Sequence, residues 1–337
     1  MRDCTQFYID GQWVPSDGDG SIDVLNPSDE EVIGCVPDGT TADVDAAVAA
    51  AKAAFPTWSA LPLEDRLGYI EALAAQLGAR AEEIGTLISR EMGMPLGMST
   101  MIQAGMPAAT TGSVAGTARA FPFEETIGRT LVTREAVGVV GCITPWNFPL
   151  HQIMAKIAPA MAVGCTVVLK PSEVAPLNAF LLAEIIDDLG FPPGVFNLVC
   201  GFGPVVGEAI AAHPDVDMVS FTGSTRAGTR VAEVAAANVT RVHQELGGKS
   251  AQIVFADADP ALTVPTVVGA ITQHAGQTCS AGSRLLIERS AMDTLLPQIV
   301  EAFSRVRVVM PWMEGELGPV VNPRQKARVE GYQKLAE

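Results

Sequence analysis

Apolar residues in the amino-terminal part of the chain are spaced in ways that predict its secondary structure. Short apolar runs flank Asp10-Gly11, a pair that supplies the positive φ angles of a tight turn, so we predict an amino-terminal β-hairpin. Beyond it, Ala-rich and amphipathic stretches predict a helix over residues 41–55, a longer helix over 63–92 and a third that ends near residue 116. The chain is therefore expected to begin as β structure and to continue as helices.

After residue 137, short β-branched runs alternate with amphipathic stretches. The predicted strands are 137–143, 166–170, 196–199, 218–221 and 241–246, and the predicted helices between them are 150–163, 176–189, 204–212 and 225–237. Strands that alternate with helices in this way are typical of a parallel sheet with crossover helices. We therefore predict an α/β fold, with a doubly wound parallel sheet in a domain over residues 1–246 and a second α/β domain over 247–337.

Charge and composition exclude several classes of partner. Lys plus Arg number 22 against 38 Asp plus Glu, for a net charge of −16, so phosphate backbones and anionic membrane surfaces would be repelled. The first residues contain no apolar signal-peptide core, and the most apolar stretch, 157–169, is too short to span a bilayer. The six cysteines include no C-x-x-C pair, so we expect no metal site and reduced thiols in a cytoplasmic protein.

Five short strings hold the candidate chemistry, and each of them alone would be weak evidence. They are Pro145-Trp146-Asn147-Phe148-Pro149, Lys170-Pro171-Ser172-Glu173, Phe221-Thr222-Gly223-Ser224-Thr225, Glu245-Leu246-Gly247-Gly248-Lys249 and Gly276-Gln277-Thr278-Cys279-Ser280. In this order and spacing they resemble the aldehyde dehydrogenase superfamily, over essentially the whole chain. The resemblance implies a cofactor domain, a catalytic domain, and oxidation of an aldehyde to a carboxylic acid with a nicotinamide cofactor.

The predicted cofactor site lies where a strand ends and a helix begins. Gly223 would allow close backbone approach, and Ser224 with the helix N-terminus can meet a pyrophosphate, although such a turn is equally often structural. By resemblance, Lys170 and Glu173 bind the adenosine ribose rather than forming a surface ion pair, and Glu173 would repel a 2′-phosphate, which favours NAD without excluding NADP. The other predicted cofactor residues are Ile143, Thr144, Pro145, Trp146, Ser172, Gly203, Phe221, Leu246 and Gly247.

Cys279 is the candidate nucleophile, because an aldehyde must become tetrahedral before it can lose a hydride. By resemblance, the Asn147 amide and the Cys279 backbone N–H hold the resulting oxyanion, Glu245 is the general base for the water that releases the acid, and Lys156 lies near that water. Taken singly, these residues would be interpreted as an inert thiol, a turn residue between prolines and a solvated carboxylate. Their occurrence together in the family's order favours the catalytic interpretation.

The string over residues 145–149 is called the tryptophan motif below, and the helix that follows it predicts the character of the substrate tunnel. Phe148, Gln152, Ala155 and Lys156 fall on one face of that helix, which should look toward the substrate. Because Gln152 and Ala155 are not large aromatics, the tunnel is expected to be roomy and mildly polar. A bulky or oxygenated aldehyde is the expected substrate.

The family's catalytic domain continues well beyond its nucleophile, whereas this sequence stops at residue 337. The resemblance therefore implies truncation at the carboxyl end, with loss of a second glutamate that holds the nicotinamide ribose. The family is usually a homodimer or homotetramer, and a hairpin near 118–136 would be its oligomerisation element. We expect the 337-residue chain to be a poor catalyst at best.

Two alternatives to a hydrolytic dehydrogenase stay open at this point. One is a truncated, non-catalytic nucleotide-binding paralogue or fragment, against which the intact Cys279, Glu245 and Asn147 argue. The other is an acylating dehydrogenase that passes its thioester to coenzyme A, but enzymes of that kind usually lack a glutamate at the position of Glu245. Hydrolysis of the thioester is therefore the preferred interpretation.

Overall fold

The computed structural model describes residues 1–336, which form four β-sheets flanked by helices. The strands are β1 (Arg2–Asp3), β2 (Gln6–Ile9), β3 (Gln12–Pro15), β4 (Ser21–Leu25), β5 (Val32–Pro37), β6 (Glu124–Ile127), β7 (Thr130–Thr133), β8 (Val139–Ile143), β9 (Thr166–Lys170), β10 (Phe196–Leu198), β11 (Met218–Gly223), β12 (Arg241–Leu246), β13 (Ala251–Val254) and β14 (Arg284–Ile287). The helices are α1 (Thr41–Ala60), α2 (Leu63–Ala79), α3 (Ala81–Met92), α4 (Leu96–Met98), α5 (Met106–Ala120), α6 (Pro149–Ala162), α7 (Leu177–Asp188), α8 (Glu208–Ala212), α9 (Thr225–Ala235), α10 (Pro260–Thr272), α11 (Arg289–Ser304) and α12 (Pro323–Ala336). Two π-helical segments, Ser99–Gly105 and Gly203–Gly207, lead into α5 and α8.

The largest sheet has seven strands in the order β12-β11-β8-β9-β10-β2-β3. Strands β12 to β10 are parallel, which confirms the predicted α/β class. The predicted amino-terminal hairpin, β2 with β3, is present, and it extends this sheet by antiparallel pairing of Tyr8 with Leu198. The sheet is therefore mixed. The pairing buries the apolar side chains of β2 beside β10.

The helix predicted over 63–92 is two helices rather than one. The chain leaves helical geometry at Arg80, which has φ −100° and ψ 18° and lies between α2 and α3. The two halves pack on different partners, α2 on α5 and α3 on α7 and the segment Ser99–Gly105. Local spacing could not reveal this break, because both halves continue the same apolar period.

Apolar side chains form two separate clusters within the described residues. The larger surrounds the seven-stranded sheet and includes Phe7, Trp58 and Phe196. The smaller contains Val254, Val267, Ala291, Leu295 and Ile299 and lies between the β13–β14 pair and helices α10 and α11. The domain boundary between residues 246 and 247 stays a prediction.

The hairpin expected near residues 118–136 and the lengths of the apolar helices can both be compared with the structure. Strands β6 and β7 form an antiparallel hairpin that exposes Ile127 and Leu131. No helix within residues 1–336 is both long and apolar enough to cross a membrane.

Candidate active site

The sheet register brings the sequence motifs to one edge. Ile143 at the end of β8 pairs with Lys170 at the end of β9 and with Phe221 of β11. Gly223 at the end of β11 pairs with Leu246 at the end of β12. Ligands of doubly wound sheets bind beyond the carboxyl ends of the strands, so four of the five motifs meet where a ligand site is expected.

A cleft of about 760 Å³ lies on one side of this edge. The predicted cofactor residues that line it are Ile143, Glu173, Gly203, Phe221 and Ser224. The cleft also has three cationic residues that the motifs did not indicate, Arg226, Arg230 and Arg324. Ser224 caps α9 by accepting a hydrogen bond from the Ala227 backbone N–H at 3.3 Å, and both residues line the cleft. The N-terminus of a helix carries a partial positive charge, which suits it to bind an anion.

Lys170 and Glu173 are held beside the cleft. The Lys170 Nζ donates to the Pro171 carbonyl oxygen at 2.8 Å and lies 3.5 Å from the Glu173 Oε2. The Lys170 side chain is 3% exposed and that of Glu173 is 25% exposed, so the pair is buried on the lysine side and reachable on the carboxylate side. A carboxylate at the rim of a cleft is suited to accept hydrogen bonds from sugar hydroxyls.

The remaining predicted cofactor residues do not line the cleft, and these are Thr144, Pro145, Trp146, Lys170, Ser172, Gly223, Leu246 and Gly247. The absence of a side chain at Gly223 is explained by Phe221, because a Cβ on Gly223 would lie 2.6 Å from the Cζ of the Phe221 ring. Gly223 thus makes room for a neighbouring ring. The Thr144 hydroxyl is buried and has no hydrogen-bond partner within the described part of the chain.

A second cavity, of about 520 Å³, brings three predicted catalytic residues together. It is lined by Cys279, Glu245 and Lys156, and also by Gln152 and Ala155 of the predicted tunnel face. Ser220 lines this pocket whereas the next residue, Phe221, lines the cofactor cleft. Since successive side chains of a strand point to opposite faces, β11 separates the two cavities.

Two polar pairs connect helix α6 to the sheet in this pocket. The Lys156 Nζ donates to the Ser220 Oγ at 3.2 Å, and the Thr222 hydroxyl donates to the Gln152 Oε1 at 3.2 Å. In the sheet register, Ser220 pairs with His243 and Thr222 pairs with Glu245.

Sequence reasoning missed the roles of Ser220, Thr222 and His243, although one signal was available. His243 precedes Glu245 by two residues, which places both side chains on one face of β12. His243 also lines the 520 Å³ pocket with Glu245.

Asn147 does not line the pocket but contacts the loop that carries Cys279. Its Nδ2 donates to the backbone carbonyl oxygen of Gln277 at 2.8 Å. The backbone carbonyl oxygen of Asn147 accepts from the Gln103 Nε2 at 3.0 Å. An asparagine amide has two N–H donors, so one is left for a ligand. Gln277 in turn accepts at its Oε1 from the Val321 backbone N–H at 3.0 Å.

The loop before Cys279 has unusual backbone geometry. His274, Ala275 and Gly276 have φ angles of 52°, 54° and 72°, and such left-handed values are costly for the two residues that are not glycine. The His274 ring is 3% exposed and packs edge-on against Trp146 and Phe148, with ring centroids 6.2 Å and 5.7 Å away. The strained loop is thus packed against the string that contains Trp146 and Phe148.

Burial changes the protonation of several groups at the site. It lowers the pKa of Lys156, and the electrostatic effects of Cys142 and then of Glu245 partly oppose that shift. It lowers the pKa of His274 to about 4, so this imidazole is neutral near pH 7. Burial also raises the pKa of Cys142 to about 12, which makes that thiol a poor nucleophile.

Exposure separates Cys279 from the other cysteines. Cys142, Cys165 and Cys200 are buried, Cys4 and Cys35 are partly buried, and Cys279 is exposed. Residues 1–336 hold no group of three or more His, Cys, Asp or Glu side chains arranged to bind a metal ion. The ionisable groups that line the 520 Å³ pocket include the Cys279 thiol, the Glu135 and Glu245 carboxylates, the Lys156 ammonium and the His243 imidazole.

Comparison with known proteins identifies the class of protein that this fold and site define. The model of the aldehyde dehydrogenase family matches residues 13–337. A 3-succinoylsemialdehyde-pyridine dehydrogenase of a Pseudomonas species is 46% identical over 333 residues, which are 98% of this chain and 70% of that protein. The chain belongs to the aldehyde dehydrogenase family, and the resemblance seen in the five motifs is confirmed.

Solved structures agree with this assignment. Aldehyde dehydrogenase C of Pseudomonas syringae, as a mutant in complex with NAD+ and octanal, superimposes with a TM-score of 0.95 at 45% identity, over 97% of this chain and 68% of that one. The lactaldehyde dehydrogenase of Escherichia coli has the same TM-score at 38% identity, over 100% of this chain and 71% of that one. The chain thus spans about 70% of the length of the relatives it matches.

Proposed function

We propose that this chain carries the groups that oxidise an aldehyde to a carboxylic acid with NAD, through a covalent adduct on Cys279. The observation that carries the proposal is the single pocket lined by Cys279, Glu245 and Lys156, separated by one strand from a cleft suited to a dinucleotide. The exposed thiol supplies a nucleophile and the carboxylate supplies a base within the same cavity.

Several residues fit a bound nicotinamide dinucleotide. The N-terminus of α9 and the three arginines of the cleft suit its pyrophosphate, and the Glu173 carboxylate suits ribose hydroxyls. When bound, NAD supplies the hydride acceptor for the oxidation.

The first half of the reaction forms the covalent adduct. The Cys279 thiolate attacks the carbonyl carbon, a C–S bond forms, and the carbonyl electron pair moves onto oxygen. The free N–H of the Asn147 amide and the Cys279 backbone N–H would stabilise that oxyanion. As the C–O double bond re-forms, the carbon gives up its hydride and becomes a thioester.

The second half releases the acid. Glu245 takes a proton from water as the water oxygen bonds to the thioester carbon, and the C–S bond then breaks to return the thiolate. Lys156 is buried and donates to Ser220, so its charge lies near this carboxylate without a direct contact within 4.0 Å. The presence of Glu245 in the pocket favours hydrolysis over transfer of the acyl group to coenzyme A.

The pocket also supports a proposal about the substrate. Its wall on α6 presents the small or aliphatic side chains Ala155, Pro159, Ala160 and Val163 together with the Gln152 amide. A volume of about 520 Å³, with the Gln152 amide beside the charged and hydroxyl groups of the pocket, suits an aldehyde of substantial size that bears an oxygen atom. The range of relatives, which includes a succinoylsemialdehyde-pyridine dehydrogenase and a lactaldehyde dehydrogenase, supports an oxygenated aldehyde.

The test compares Cys279→Ala with a control, Cys35→Ala, which removes a partly buried thiol on another sheet. Each 337-residue protein is mixed with an aldehyde panel and NAD, and NADH absorbance and the mass of the protein are followed through one turnover. We expect a slow single turnover, with an acyl adduct and up to one equivalent of NADH, for the native chain and for Cys35→Ala, and neither product for Cys279→Ala. Binding of NAD by calorimetry should change less than about threefold, because the thiol does not hold the nucleotide. NADH formation by Cys279→Ala would refute the proposal.

A further inference from the structure

His243 and Glu245 share one face of one strand. They are separated by a single residue on β12, and both line the 520 Å³ pocket with Cys279. The His243 Nε2 lies 3.6 Å from the Glu245 Oε1. This is an ion-pair distance that is slightly too long for a hydrogen bond, and catalytic contacts of this kind commonly shorten when a ligand is bound.

Within residues 1–336, His243 is the one basic side chain that lies within 4.0 Å of the Glu245 carboxylate. Both side chains are open to solvent, with 53% of His243 and 61% of Glu245 exposed. An exposed glutamate has several rotamers of similar energy, so a carboxylate without a neighbour would spend only part of its time in any one of them. A neighbouring donor on the same strand restricts this freedom.

The sheet fixes the backbone of both His243 and Glu245, and Glu245 pairs in register with Thr222. His243 pairs in register with Ser220, and the Ser220 hydroxyl accepts a hydrogen bond from the Lys156 Nζ at 3.2 Å. Lys156 makes no contact with the Glu245 carboxylate within 4.0 Å, so it acts on Glu245 only through its charge. The nearest donor for the carboxylate is therefore the imidazole.

We propose that His243 is a positioning residue for Glu245: its Nε2–H holds the carboxylate on the pocket side, ready to deprotonate the attacking water. The inference rests on the proposed function, in which Glu245 is the base of the hydrolytic step. In that step the proton passes from water to Glu245, the water oxygen bonds to the thioester carbon, and the C–S bond breaks. Glu245 then returns its proton to solvent, so His243 is not consumed.

The test isolates hydrolysis from oxidation by using p-nitrophenyl acetate as an acyl donor. Attack by the Cys279 thiolate releases p-nitrophenolate in a burst and leaves an acetyl thioester, which water then hydrolyses in a slower phase. The burst reports on acylation and the slower phase reports on deacylation, and neither needs NAD. The proteins compared are the native chain, Glu245→Gln, His243→Leu, His243→Gln and a control, Arg241→Leu.

The variants separate positioning from general effects on the strand. His243→Leu removes the donor, whereas His243→Gln keeps an N–H donor close to the position of Nε2. Arg241→Leu removes a cation from the same face of β12, where Arg241 is exposed and does not line the pocket. His243 is half exposed, so neither substitution is expected to unfold the protein.

We expect His243→Leu to slow deacylation about three- to fivefold with an unchanged burst, which is the size of effect that one exposed charged contact can have. His243→Gln should recover at least half of the native deacylation rate, and Arg241→Leu should match the native chain. Native-like deacylation by His243→Leu, beside slow deacylation by Glu245→Gln, would overturn the role of His243 alone. Absence of a burst in the native chain, or native-like deacylation by Glu245→Gln, would overturn the proposed function as well.

Discussion

The Asn147 side chain donates from Nδ2 to the carbonyl oxygen of Gln277 at 2.8 Å, across 130 residues of sequence. Gln277 lies two residues before Cys279, so this bond joins the segment between β8 and α6 to the loop that carries the candidate nucleophile. The same amide is the proposed oxyanion donor. One side chain would therefore both hold the loop and stabilise the charge that develops on the substrate.

Replacing Asn147 by alanine is expected to remove both effects. Loss of a single oxyanion donor typically lowers kcat by about a hundredfold or more, and loss of the Gln277 bond loosens the loop. We expect single-turnover NADH formation to slow by at least that factor, while Cys279 becomes more reactive toward an alkylating thiol reagent. Alkylation of Cys279 at the native rate would mean that the Gln277 contact does not restrain the loop.

Glu245→Gln is expected to separate the two halves of the reaction. The amide cannot take a proton from water, but it leaves Cys279 and the cofactor cleft unchanged. NADH should form in a first-turnover burst of native amplitude, followed by a steady state that is slower by about a hundredfold. If the burst is lost together with the steady state, Glu245 has a role before the thioester forms.

Glu173 is expected to favour NAD over NADP. Its carboxylate is partly exposed at the rim of the cleft, where a 2′-phosphate would face a like charge. We expect calorimetry to give at least tenfold tighter binding of NAD, with the difference reduced in Glu173→Gln because the like charge is gone. An unchanged preference in Glu173→Gln would assign discrimination to another part of the cleft, such as Arg226.

His274 is expected to make stability depend on pH. Burial lowers its pKa in the folded protein from an ordinary 6.5 to about 4, so the unfolded chain binds this proton first as the pH falls. The free energy of unfolding keeps its full value above pH 6.5 and falls progressively as the pH is lowered to about 4. The total loss due to His274 is then about 3 kcal/mol. Urea unfolding at several pH values should show this loss in the native chain and a flatter profile in His274→Phe. Parallel profiles for the two proteins would contradict the prediction.

Much of the site's framework could be predicted from local sequence. Strands β9 and β12 have the bounds that their β-branched runs predicted, and the helices between strands differ from prediction by a few residues at most. Spacing is informative here because side-chain burial on one face is a local, periodic requirement. The same patterns place Lys170 and Leu246 at strand ends, where parallel strands bring side chains to one edge.

The sequence by itself determined the α/β class, the family to which the chain belongs and the main strands and helices after residue 137, but not strands β4 and β5 or the helix break at Arg80. Tertiary structure alone decided that the amino-terminal hairpin joins the sheet, that Asn147 binds the loop of Cys279, and that His243 lies beside Glu245 in the pocket. It also showed that Gly223 makes room for the Phe221 ring. The physical reason is range: periodicity reports which face of one element is buried, whereas contacts between distant residues depend on how whole elements pack, and no local pattern encodes that arrangement.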